Sequence, residues 1–194
     1  MTIHRSDRFR EHSEMFTPDS RALLSGMPFE ENFAAFYQEL KGISLSGNVP
    51  VQIRIDFETI KNTLLYSVYS YRLSTVSYSY AYATFEKALK IKLKETSASL
   101  TISKESESFD KEILKCRGLK ARINLALKYD LLRLDDFCPN FQIEDDEPKL
   151  QYLDDFIDSR NEFAHGTVFL DIVWRMPPRI KFISDLVNSL WITR

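Results

Sequence analysis

The chain has 194 residues, 44% of them hydrophobic and 28% charged, and a formal net charge of −2. That is enough chain to bury a sizeable core in one domain, and no apolar run approaches the roughly 18 residues of a membrane span. The slightly acidic balance excludes whole-molecule attraction to nucleic acid, and Cys116 and Cys138 alone give neither a disulfide framework nor a metal-site spacing.

The start, Met1-Thr2-Ile3-His4-Arg5, is polar and lacks the apolar stretch of a secretory signal. With two cysteines, this predicts a cytoplasmic protein. Five glycines and seven prolines are few and favour long helices over many strands and turns. Residues 1–16 read as a loose polar arm. Thr17-Pro18-Asp19-Ser20 predicts a helix start, with proline tolerated in the first turn. Pro28-Phe29-Glu30-Glu31 predicts another, carrying Phe29, Phe33, Phe36 and Leu40 at helical spacing until the break across residues 42–50.

From residue 51 to 117 there is neither glycine nor proline. Within it, Tyr66-Ser67-Val68-Tyr69-Ser70-Tyr71 and Ser77-Tyr78-Ser79-Tyr80 alternate in period two with strand-favouring residues. Helical spacing also fits, through Ile53, Phe57, Ile60, Leu64 and Val68, then Tyr78, Tyr82, Phe85 and Leu89. Glu86 stands four residues before Lys90, a stabilising helical pair. The helical reading wins and predicts one long helix or two collinear ones over residues 56–95. The serine-rich residues 96–108 read as a loop. Helical spacing resumes over 109–134 through Ile113, Leu114, Ile123 and Leu127, interrupted or bent near Gly118, and an acidic loop covers 135–146.

The next helix opens with Asp145 or Asp146 as cap and Pro148 in the first turn, and stops at Gly166, which suits a left-handed C-cap. Residues 168–174 form a short apolar run, and Pro177-Pro178 starts a last helix with Ile180, Ile183, Val187 and Leu190 on one face. The fold class is all-α. Residues 1–50 are a polar arm with short helices, and residues 51–194 a helical bundle.

Charge is unevenly spread. Residues 87–133 hold twelve basic side chains against six acidic ones, and residues 135–158 hold nine acidic side chains and one lysine. This pattern fits a basic groove beside an acidic flank, or equally a set of solvated helix faces. Asp135-Asp136 and Asp154-Asp155 read as solvated acid rather than as a cation site. There is no glycine-rich phosphate loop, paired-histidine motif or Gly-x-Ser-x-Gly turn, so no cofactor or metal is expected.

The stretch with most chemistry is Arg160-Asn161-Glu162-Phe163-Ala164-His165-Gly166. Arg160 shares a helical stripe with Leu150, Leu153, Ile157 and Ala164, and a guanidinium on an apolar face needs an anionic partner, an interface or a cleft. Asn161 and His165 are four apart and stack on one face, so the amide can orient the imidazole. Arg160 and His165 diverge by about 140° around the helix, so they meet at one small group only if the arginine folds over or a second chain supplies half the site. His165, in the last turn, feels the negative end of the helix dipole. A titratable imidazole beside a fixed guanidinium suits phosphodiester cleavage, one moving protons and the other stabilising phosphorane charge. The competing reading is a salt-bridged arginine and a capping histidine in an ordinary bundle.

At these residues the chain resembles the HEPN superfamily, whose signature is an arginine, a polar residue and, a few positions on, a histidine. Arg160-Asn161, followed after three residues by His165, has the short form of that pattern, and Gly166 after it is common there. Phe85-Glu86-Lys87-Ala88-Leu89-Lys90 is similar to the glutamate-bearing helix beside the motif helix. The resemblance spans residues 56–192 and implies an up-and-down bundle of four to five core helices that dimerises with its motif helices facing. It implies a metal-independent endoribonuclease of toxin–antitoxin or phage-defence type, in which the ribose 2′-hydroxyl attacks the adjacent phosphate. Arg160 would then bind the scissile phosphate and His165 would transfer protons. Asn161 would position one of them, and Glu86 would complete or orient the site, or else simply be a solvated partner of Lys90. RNA, a second copy of the chain and a cognate antitoxin protein are the implied partners, with no membrane. Thr167 stands where one subgroup carries a modified tyrosine, which makes that modification unexpected here. Non-catalytic relatives bind nucleic acid or protein, and a helical interaction protein outside the family is the third reading.

Overall fold

The computed structural model describes residues 10–23, 28–99, 104–138, 146–164 and 173–192. Among them the regular structure is all-α: α1 (Phe29–Gly42), α2 (Val51–Tyr66), α3 (Leu73–Ser99), α4 (Lys104–Lys115), α5 (Leu119–Lys128), α6 (Asp146–Ala164) and α7 (Pro177–Ser189). Among the described residues, 3-10 turns lie before α1 at His12–Glu14, between α5 and α6 at Leu134–Phe137, and before α7 at Val173–Arg175. No described helix is long and apolar enough to cross a membrane.

Proline sets three of the helix starts. Pro28 and Pro50 occupy the N-cap positions of α1 and α2, and Pro177 is the first residue of α7, each where a missing N–H costs nothing. The α1 and α7 starts agree with the sequence reading; α2 begins at Val51, five residues before the expected onset.

The expected long or collinear helix over 56–95 is instead an antiparallel hairpin. The chain turns at residues 67–72, and α3 runs back along α2, so that Ser77 donates to the Ile60 carbonyl at 2.9 Å and Tyr80 and Lys87 both reach Asp56. No glycine or proline makes this corner. Serine hydroxyls close it locally, Ser67 donating to Leu64 O at 2.6 Å and Ser74 to Tyr71 O at 2.7 Å. The buried Asp19 closes it from a distance: its N–H donates to Val68 O, and its carboxylate accepts from the Tyr71 N–H. The tyrosine–serine alternation that reads as strand is therefore helix and corner, with small serines at the close α2–α3 contact.

Asp19 also overturns the helix predicted to start at Thr17. Residues 20–23 form a turn in which the carboxylate accepts from the Arg21 backbone N–H at 3.0 Å and from both Nε and Nη2 of the guanidinium. The competing side-chain acceptor favours turn over helix. The serine-rich loop expected at 96–108 is shorter than read. Helix α3 continues to Ser99 and α4 begins at Lys104, with Ser97 donating to Asp110 between them. The break at Gly118 is present, with φ +89° at the entry to α5, but α5 ends at Lys128 rather than 134.

About 40 Å long by its residue count, α3 is the central element, in contact with α2, α4, α5, α6 and α7. Its buried positions, among them Ser77, Ala81, Tyr82, Phe85, Ala88, Leu89 and Leu93, fall on one broad face that takes up about half of the helix circumference. On α1, Phe36 and Leu40 are buried in the same core, Phe33 is partly buried, and Tyr37 is exposed.

Burial pushes the Asp19 pKa up, but hydrogen bonds from Arg21 and the Tyr71 N–H outweigh it and hold the carboxyl below its ordinary value. Its stabilising contribution is thus present above about pH 4 and is lost as pH falls through the lowered folded value. Asp19→Ala is expected to cost about 3 kcal/mol at pH 7 in urea denaturation, because it removes the carboxylate partner of half-buried Arg21 and the acceptor of the corner amide. The gap from wild type should narrow below pH 4.

Candidate functional site

The site residues converge because of how α6 sits on α3. Phe156, Arg160 and Phe163 lie at i, i+4 and i+7 and share the inner face of α6. Phe156 packs on Phe85 at 5.5 Å and Tyr82 at 5.0 Å between ring centroids, and Phe163 on Tyr78 at 4.4 Å. With aromatic contacts on either side of it, Arg160 faces α3. Leu153 and Ile157 are buried as their spacing predicts, but Leu150, placed on the same stripe, is half exposed. Lys149 takes the inward position instead and pairs with Asp135 at 2.8 Å.

Opposite Arg160 stands Glu86 of α3. Arg160 Nη2 donates to Glu86 Oε2 at 3.1 Å, and Nη1 reaches Asn161 Oδ1 at 3.3 Å. The second carboxylate oxygen, Oε1, accepts from Arg122 Nη1 of α5 at 2.6 Å and lies 3.1 Å from Lys90 Nζ. Three cations thus surround one anion, leaving the cluster with excess positive charge. Exposure is graded outward: 16% for the Glu86 side chain, 21% for Arg122, 33% for Arg160 and 48% for Lys90. Burial pushes the Glu86 pKa up, yet hydrogen bonds and charge from Lys90 and Arg160 more than offset this and hold it below its ordinary value.

Of the four residues singled out in the sequence, the structure brings Arg160, Asn161 and Glu86 together. His165 lies outside the described residues, as do Gly166 and Thr167. Glu86 is a partner of Lys90, as one reading has it, but it also bridges to Arg160 and Arg122, 74 and 36 residues away. Arg122 was legible only as one of the twelve basic residues of its stretch. No local spacing marks it, because its partner lies on another helix.

Several other acids have protein partners of their own. Asp154 pairs with Lys120 at 2.7 Å, Asp56 with Lys87 at 2.6 Å, and Asp136 accepts from the Arg133 N–H. No group of three or more metal-ligating side chains occurs among the described residues. Tyr82, hydrogen-bonded to Tyr78, is driven by burial far above the ordinary phenol range and stays protonated.

The chain matches no family model, and comparisons with curated proteins and with solved structures return no match. The arrangement itself is chemically specific: a guanidinium, oriented by a part-buried carboxylate and an amide, on a helix face beside further positive charge.

Glu86→Gln removes the anion while leaving the shape, and sets Arg122, Arg160 and Lys90 against one another. It is expected to cost about 2 kcal/mol at pH 7 by urea denaturation. In a double-mutant cycle with Arg122→Gln, a coupling of about 1 kcal/mol or more should appear. The Glu86 contribution holds above about pH 4.3 and disappears as pH falls through its lowered folded value.

Proposed function

We propose that the protein is a metal-independent endoribonuclease of toxin–antitoxin or phage-defence type, with a HEPN-like bundle that dimerises along its motif helices. The observation that carries this reading is the Arg160–Glu86 pair. An arginine held on the inner face of a long helix by a carboxylate, and still a third exposed, is a preorganised phosphate ligand. Under this reading Arg160 takes the scissile phosphate and stabilises charge on the phosphorane. His165, one helical turn beyond Asn161 in sequence, moves protons to and from the ribose 2′-hydroxyl and the leaving 5′-oxygen. The products are a cyclic phosphate and a free 5′-hydroxyl, with no metal in the step. Asn161 and Glu86 are positioning residues, acting through Arg160 and His165. A second copy of the chain supplies the facing half of the cleft, and a cognate antitoxin protein restrains the activity.

A non-catalytic nucleic-acid-binding or protein-binding module of similar fold is the second reading. It draws on the surplus of cations around Glu86, which would hold a phosphate backbone without any histidine.

Incubating purified protein with total RNA in EDTA separates the two. Cleavage that persists in chelator and falls at least about 100-fold in Arg160→Ala and in His165→Ala, both folded by circular dichroism, is the expected result. Products should end in a 2′,3′-cyclic phosphate. Equal cleavage by wild type and both variants would dismiss the catalytic assignment. RNA binding without cleavage would select the second reading.

A further inference from the structure

The cations around Glu86 also form the wall of a cavity. Between α3, α4 and α5 lies a hollow of about 210 Å³ lined by Lys90, Leu93, Lys94, Ile113, Cys116 and Arg122. Lys90 and Arg122 belong both to this lining and to the Glu86 cluster. Lys94, one turn further along α3, is exposed and has no ion-pair partner among the described residues. The lining therefore holds three cations and no carboxylate, over an apolar floor in which Leu93 is buried. A concave surface of one sign with low-dielectric walls concentrates counter-ions. Its volume is below the roughly 300–1,000 Å³ of a drug-sized site, which suits a phosphate and part of its sugar rather than a whole nucleotide.

The geometry relates this hollow to Arg160. Arg122 and Arg160 grip opposite oxygens of one carboxylate at 2.6 and 3.1 Å. Their contacting nitrogens therefore lie within about 8 Å of each other, given ordinary carbonyl bond lengths. That is the scale separating successive phosphates along a single strand. Between the two positions stands an anion, which repels a phosphate placed directly over it.

We propose that the hollow between α3, α4 and α5 is a second phosphate subsite, which holds the phosphate adjacent to the one at Arg160 on a single RNA strand. Arg122, Lys90 and Lys94 are its ligands, and Glu86 is the spacer that sets the register between the two phosphates. This rests on the reading of the protein as an RNA-binding enzyme, and the experiment below keeps the two separable.

Binding of a fluorescent, fully 2′-O-methylated RNA, which cannot undergo 2′-hydroxyl attack, is measured against salt for wild type, Lys94→Gln and Arg122→Gln. Each variant is expected to bind more weakly, with a slope of log K against log salt shallower by about 0.7 for each phosphate that is no longer neutralised. Lys94→Gln is the decisive variant, since Arg122→Gln also strips Glu86 of a partner. Alkylation of Cys116 by neutral iodoacetamide gives a second readout. This thiol is half-buried in the lining and points its S–H at the Ala121 carbonyl, 3.5 Å away. Saturating RNA should slow its reaction several-fold, with buried Cys138 as the control for general tightening.

An unchanged salt slope in Lys94→Gln, or full Cys116 reactivity in saturating RNA, overturns the proposal. So does equal protection by inorganic phosphate at the same phosphate concentration, which would make the hollow a site for free anions. If the unmodified RNA is not cleaved in chelator but protection and slope both hold, the catalytic reading fails and the subsite stands.

Discussion

One carboxylate fixes the geometry on which the site depends. Glu86 is largely buried, so its charge is costly unless it is paired, and its partners come from three helices: Lys90 on its own, Arg122 on α5 and Arg160 on α6. The dependence runs both ways. Without the anion, two guanidinium groups and an ammonium would face one another across a partly dry interface. The aromatic contacts of Phe156 and Phe163 bring α6 against α3 with ordinary hydrophobic force. The ion cluster adds direction to that force, since a guanidinium fork meets a carboxylate oxygen over a narrow range of geometry.

The cluster also changes what the basic stretch of the sequence means. Summed along residues 87–133, positive charge looks like a broad nucleic-acid surface. In the fold much of it is spent locally: Lys87 on Asp56, Lys120 on Asp154 and Lys128 on Glu112, while Lys92 lies over the Trp191 ring. Surface pairs of this kind contribute little to stability, but they quench the field around each lysine. At Glu86 the charge is locally dense: Lys90, Arg122 and Arg160 meet there, and Lys94 lines the same hollow as two of them.

Elements marked by local chemistry were legible from the residues alone. Pro28 and Pro177 announce α1 and α7, Gly118 announces the break before α5, and the spacing of Leu153, Ile157 and Arg160 gives α6 its inner face. The α2–α3 corner was not legible, because its closing acceptor, Asp19, lies 52 residues upstream of the Tyr71 amide. The start of α4 was hidden for a different reason: its serines favour turns while its glutamates favour helix, and their shared polarity imitates a loop. In the site, Arg160 on an apolar face called for an anionic partner, an interface or a cleft, and the Glu86–Lys90 spacing placed an anion on a helix. Their meeting, and the arrival of Arg122, depends on the packing of three helices, which periodicity along one chain does not encode.

The contacts of the first fifty residues carry a consequence for how the molecule is assembled. Trp174 donates its indole N–H to the Ala22 carbonyl at 2.9 Å, and the Asn188 side chain accepts from the Ser46 N–H and donates to Ser44 O. Residues 22, 44 and 46 therefore meet these partners only after residues 174 and 188 have left the ribosome. Until then the apolar face of α1 lacks its contact with α7, and long-range closure of this kind is slow compared with helix formation. A nascent chain in this state exposes apolar surface to chaperones and proteases until α7 docks.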